Sequence, residues 1–111
     1  MLEIRQYVDR QGRNRFEEWF NGLTETPRAR ITVALDRLER SSAPPAKSVG
    51  DGISELRLDF GPGYRIYLGR DGDSLVILLV GGTKKRQDAD IAVAKQLWRE
   101  YKERKREARW S

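Results

Sequence analysis

Apolar residues recur at every second position over Leu56 and Leu58, and again over Ile66 and Leu68, with Gly61-Pro62-Gly63 between the two runs. A period of two sends alternate side chains to opposite faces of a strand, so the pattern predicts a β-hairpin. Its even positions form an apolar face, and its odd positions carry Glu55, Arg57, Asp59, Arg65 and Tyr67 on the other. A loop of Gly61 to Gly63 paired symmetrically about Pro62 sets Arg57 across from Tyr67 and Asp59 across from Arg65. Upstream, Leu2, Ile4, Tyr7 and Val8 suit a short opening strand. Asn14 with Glu17 three residues on has the form of a capping box, and Phe16, Trp19, Phe20 and Leu23 follow as one helical stripe. Thr26-Pro27 opens a second amphipathic helix through Ile31, Ala34, Leu35 and Leu38, which the segment 41–45 stops. After a loop over 46–51 and the hairpin, Leu75 to Val80 is apolar at every position, as expected of a strand covered on both faces. Gly81-Gly82 breaks that strand, and Asp88 or Asp90 opens a last helix with the stripe Ile91, Ala94, Leu97, Trp98 and Tyr101, beyond which the charged run 102–109 is expected to fray. The order β, α, α, β, β, β, α describes an α+β fold. Two N-terminal helices, expected to form a helical hairpin, and one C-terminal helix pack on a mainly antiparallel four-stranded sheet.

With 111 residues the chain has room for one domain and one modest core, so the domain is expected to span residues 1–111. Charged residues make up 35% of it, and three Trp, four Tyr and three Phe supply the bulk of an interior. There is no cysteine and no histidine, which removes disulfides, thiolate sites and any imidazole-based nucleophile set, and makes a zinc site improbable. No cofactor or metal is expected. The N-terminus lacks signal-peptide features and no apolar run approaches the ~20 residues needed to cross a bilayer, so a cytoplasmic location with no membrane partner is expected. The net charge of +5 is concentrated: residues 84–111 hold ten basic and five acidic side chains, and the first 83 residues balance to zero. Such a stripe favours a nucleic-acid or ribosomal surface through phosphate contacts, over the competing reading of a well-solvated helix.

The chemistry available is cationic. Arg57 and Arg65 share the polar face of the hairpin, and Lys84, Lys85 and Arg86 follow the apolar strand. Cleavage of a phosphodiester by its own 2′-hydroxyl needs no metal where positive groups stabilise the transition state, and arginine offers a permanent charge on a planar fork of donors. A lysine crowded by other cations loses its proton more readily, which makes Lys84 or Lys85 a candidate general base. Tyr67 can stack on a base or donate a proton. The competing reading is structural: Asp59–Arg65 as a surface ion pair, Arg57 over Tyr67 as a solvated contact, and 84–86 as a basic loop. Gly61-Pro62-Gly63 and Gly81-Gly82 read as turn glycines rather than ligands, and their spacing is not that of a P-loop.

The run Gly52-Ile-Ser-Glu-Leu-Arg57, then Gly61-Pro-Gly-Tyr-Arg-Ile-Tyr67, then Gly81-Gly-Thr-Lys-Lys-Arg-Gln87 with Asp90-Ile91, resembles the phage-derived HigB-like branch of the RelE/ParE toxin superfamily. The resemblance covers nearly the whole chain and implies the RelE-like α+β fold and the toxin of a type II toxin–antitoxin module. RelE-like and HigB-like members are ribosome-dependent mRNA endoribonucleases that inhibit translation. On that likeness Arg57, Arg65, Tyr67 and Lys84 are the expected catalytic residues, with Tyr64, Lys85 and Arg86 binding RNA. The implied partners are the ribosome with its mRNA and a cognate antitoxin of helix-turn-helix type, with operator DNA reached only through the antitoxin complex. Two alternatives share the fold: a ParE-like toxin that binds DNA gyrase without catalysis, and a partner-binding domain without activity. The missing histidine departs from the better-known HigB enzymes and leaves acid–base work to Lys and Tyr, or most of the catalysis to charge stabilisation.

Overall fold

Each face of one mixed sheet carries its own core. The computed structural model describes residues 1–42 and 45–110 and gives the order β1 (Glu3–Gln6), α1 (Arg15–Asn21), α2 (Glu25–Arg40), β2 (Lys47–Gly50), β3 (Ile53–Leu58), β4 (Tyr64–Asp71), β5 (Leu75–Thr83), a single 3-10 turn (Lys84–Arg86) and α3 (Gln87–Trp110). The α+β class holds, with five strands instead of four in the order β1-β5-β4-β3-β2. The extra strand is β2, where a loop was expected; it pairs antiparallel with β3 through Lys47–Glu55 and Ser48–Ser54, then slips at Gly50. It is an edge strand of mostly exposed residues and carries no alternating pattern to betray it. Only β1 runs parallel to its neighbour, matching Glu3 to Leu75 and Gln6 to Leu78.

Leu56, Ile66, Leu68, Val76 and Leu78 meet Phe16 of α1 and Ile31 and Leu38 of α2 on one face. Ile53, Tyr67, Ile77, Leu79 and Val80 meet Ala94, Leu97 and Trp98 of α3 on the other. β5 is therefore covered on both sides, as its unbroken apolar run implied. Burying a Leu, Ile or Val side chain contributes about 1.5–3 kcal/mol, so these two layers hold the helices down. A register slip between Tyr67 and Leu68 puts Leu79 out of step with β4, and beyond it the alternation of β5 reverses. Gly81 consequently faces α1 and Gly82 faces α3.

Local signals account for most helix boundaries. The Asn14 side chain accepts from the Glu17 backbone N–H at 3.0 Å and caps α1. The second helix starts at Glu25, with Pro27 in its first turn and Thr24 before it, slightly ahead of the expected Thr26 cap. Ser41 closes the end of α2 by donating its hydroxyl to the Leu38 carbonyl at 2.7 Å; residues 43 and 44 of the expected stop segment lie outside the described residues. The last helix does not fray over 102–109. Arg104 donates to the Val8 carbonyl at 2.8 Å, Lys105 to Asp71 at 2.6 Å, and Arg10 pairs with Glu107 at 2.7 Å. Among the described residues no helix is long and apolar enough to cross a membrane.

Candidate functional site

The α3 side of the hairpin is covered only in part. Helix α3 packs over Ile53, Tyr67 and the Gly69 backbone through Trp98, and the polar residues nearer the hairpin loop gather around one carboxylate. Glu55 is buried, and it accepts from Arg57 Nε at 2.8 Å, from the Tyr67 hydroxyl at 3.0 Å and from Gln87 Nε2 at 2.8 Å. Arg65 Nε stands 3.9 Å from the same carboxylate. Burial by itself would raise the carboxyl's pKa, and the donors from Arg57, Tyr67 and Gln87 outweigh it, so the group is held below its ordinary value and stays ionised. The Tyr67 phenol is pushed far up, by burial first and then by its bond to Glu55.

The strand register that builds this cluster differs from the expected one by two residues. Arg57 lies opposite Arg65 and Glu55 opposite Tyr67, and five residues, 59–63, form the connection. The predicted Asp59–Arg65 pair is replaced by Glu55, a residue the sequence places on the right face but does not mark as the hub. Two arginines facing each other across strands would repel, and the carboxylate between them removes that penalty. Gln87, the first residue of α3, completes the arrangement and had no sequence signal.

The cations differ in reach. The Arg57 side chain is 47% exposed, whereas Arg65 is 6% exposed, donates Nη1 to the Tyr64 carbonyl at 3.1 Å, and has no hydrogen-bond partner for Nε among the described residues. Lys84, Lys85 and Arg86 are exposed and sit on the 3-10 turn rather than in a loop. The Lys84 N–H donates to the Gly63 carbonyl at 2.7 Å. A Cβ built on Gly63 would lie 3.3 Å from Lys84 Cβ and 3.6 Å from Arg65 Nη1, so the turn after β5 and the buried guanidinium meet at this glycine. Gly63 has φ +75°, a left-handed conformation that favours glycine. Arg57, Arg65 and Lys84 are thus brought to one end of the sheet. Tyr67 is beneath them, fully buried, and offers no ring face for stacking. Tyr64 is not with them: it is buried on the α1 side, against Phe60 and Trp19 at centroid distances of 5.2 and 6.1 Å.

Gly81 and Gly82 are not turn residues. Both lie within β5, where a Cβ on Gly81 would come within 2.1 Å of the Trp19 ring and one on Gly82 within 1.8 Å of Asp90 Oδ2. Asp90 is buried, its Oδ2 has no hydrogen-bond partner among the described residues, and burial raises its pKa against the pull of Arg86. Among the described residues no three carboxylates gather as a metal site would require.

A family model for phage-derived Gp49-like proteins matches residues 18–101, which takes in the second half of α1, all of α2, the hairpin, the Lys84–Arg86 turn and most of α3. The chain belongs to this family. It is a family of RelE-like toxins of toxin–antitoxin systems. An uncharacterized protein of Haemophilus influenzae is 45% identical over 86 residues, covering 77% of this chain and 87% of its own length. No solved structure gives a significant match. The matched segment of this Gp49-like protein contains Glu55, Arg57, Arg65, Tyr67, Lys84 and Gln87.

Proposed function

We propose that this chain is the toxin of a two-component module in the HigB-like manner, a ribosome-dependent endoribonuclease that cuts mRNA by attack of a 2′-hydroxyl on the adjacent phosphate. The observation that carries the reading is the meeting of Arg57, Arg65 and Lys84 at one end of the sheet, with one ionised carboxylate bonded to Arg57 and 3.9 Å from Arg65. Arg57 and Lys84 are the reachable charges. Arg65 lies beneath the surface as a fixed positive charge in a low-dielectric setting, where its field on a developing phosphorane charge is stronger than in water. Glu55 has no part in proton transfer, since it is already engaged by three donors and holds its charge. Tyr67 keeps its proton and serves to position Glu55. Lys84, an exposed residue, is then the one assigned to assist the 2′-hydroxyl, with Lys85 and Arg86 holding the RNA backbone. The ribosome supplies substrate orientation, which can contribute several kcal/mol.

A ParE-like gyrase binder has no use for cations collected in this way. The decisive experiment programmes ribosomes with an mRNA bearing one 2′-deoxynucleotide at the mapped cleavage position. Wild-type protein should leave 2′,3′-cyclic phosphate ends on the all-ribose message and fail to cut at the substituted position. Equal cutting of both messages, or none of either, contradicts the proposal.

A further inference from the structure

Beside the cationic site, on the other side of Arg57, runs a groove that the proposed reaction does not use. It has a volume of about 520 Å³ and is formed by the outward surface of α2 and the end of β3 with its loop. Ala29 and Ala34 leave it open, and Val33, Leu58 and Phe60 give it an apolar lining. Val33 is 51% exposed, one of three large apolar side chains so placed among the described residues. Arg30, Arg37 and Arg57 stand around it against a single acid, Asp59. Arg30 lies over the Phe60 ring at 4.8 Å, which lines up charge with the apolar floor. Among the described residues β2 pairs with β3 only as far as Glu55.

An apolar channel bordered by three arginines is complementary to a segment with one apolar face and several carboxylates. We infer that this groove receives an acidic, amphipathic segment of the cognate antitoxin. The inference rests on the toxin reading and adds to it the place and chemistry of neutralisation. Arg57 belongs both to the groove and to the Glu55 cluster. A carboxylate of the bound segment that pairs with Arg57 withdraws it from RNA, so occupancy and cleavage exclude each other through one shared side chain. RNA is the competing ligand for an arginine-lined channel, but its floor of Val33, Leu58 and the two alanines offers no partner to a ribose-phosphate chain.

The test uses the full chain and the product of the gene adjacent to its own, both purified, with hydrogen exchange to map contact and a translation assay to read toxicity. Complex formation should protect 29–37 and 57–60. Val33→Asp and the double variant Arg30→Glu/Arg37→Glu, whose sites are exposed, should keep the wild-type melting temperature and inhibit translation as wild type does. Each should lower affinity for the neighbouring protein tenfold or more, and so resist neutralisation by it. Unchanged affinity, or protection confined to other surfaces, overturns the groove assignment while the toxin reading stands. Protection of the groove by RNA or by a second copy of the chain, in place of the neighbouring protein, also overturns it. A wild-type chain that fails to inhibit translation overturns the toxin reading, and the groove proposal falls with it.

Discussion

Glu55 is a buried charge whose partners are all accounted for, so its removal has a directional cost. In Glu55→Gln, Arg57, Tyr67 and Gln87 lose an ionised acceptor and Arg65 loses its nearest counter-charge. Hydrogen bonds to charged groups contribute about 1.5–3 kcal/mol, and chemical denaturation at pH 7 should show a loss in that range together with reduced RNA cleavage. The pH dependence has a fixed sign. The folded-state pKa of Glu55 lies below its ordinary 4.5, so its stabilisation is complete above 4.5 and disappears as pH falls through the folded value. The gap between wild type and Glu55→Gln should therefore close in acid. Asp90 has the opposite sign. Burial raises its pKa above 3.8, so its contribution is favourable only while it is protonated and is lost as pH rises through the folded value. Asp90→Asn should accordingly melt higher than wild type at pH 7, and this advantage should vanish below pH 3.8. The face on which Glu55 lies was legible from the period of two. Its role as hub was not, because sliding a hairpin by two residues leaves the pattern of faces unchanged and alters every cross-strand partner.

The strands carry information in what they omit. Gly81 and Gly82 lie where β5 passes beneath Trp19 on one side and Asp90 on the other, and a methyl group has no room on either. Gly81→Ala should destabilise by about 1–3 kcal/mol, the usual range for overpacking, as read by the thermal or urea midpoint. Gly22→Ala, at the end of α1 with φ −79° and only ordinary contacts, should leave the midpoint within about 0.5 kcal/mol of wild type. A pair of glycines in sequence signals a turn because turns commonly need them; close approach of a ring or carboxylate is a tertiary demand that no local pattern announces. Helices were more readable. The stripe of Ala94, Leu97 and Trp98 and the Asn14 cap are local features, and both are realised. The charged end of α3 was misjudged because its partners, Val8, Arg10 and Asp71, come from distant parts of the chain. β2 was hidden for a related reason: an exposed edge strand borrows its order from β3.

Across the whole molecule, the excess positive charge is confined to the last quarter of the chain. The positive excess of residues 84–111 begins at the turn that meets the hairpin at Gly63, so its first member, Lys84, adjoins the candidate site. Binding to ribosomes or RNA should consequently weaken steeply with salt, and Lys85→Ala/Arg86→Ala should reduce the slope of log affinity against log salt by about 1–2. That the excess sits in the last quarter was legible from composition; that it adjoins Arg57 and Arg65 required the fold, which closes the Lys84 backbone onto Gly63. The central claim is that guanidinium and ammonium groups from β3, β4 and the turn after β5 act together on RNA. Primer extension on cellular mRNA after induction tests it most directly, comparing wild type with Arg57→Ala, Arg65→Ala and Lys84→Ala at matched protein levels. The account predicts discrete cleavages within translated codons for wild type and their loss, by tenfold or more, in each variant. Intact transcripts accompanied by DNA damage in wild-type cells, or cleavage undiminished in all three variants, would contradict it.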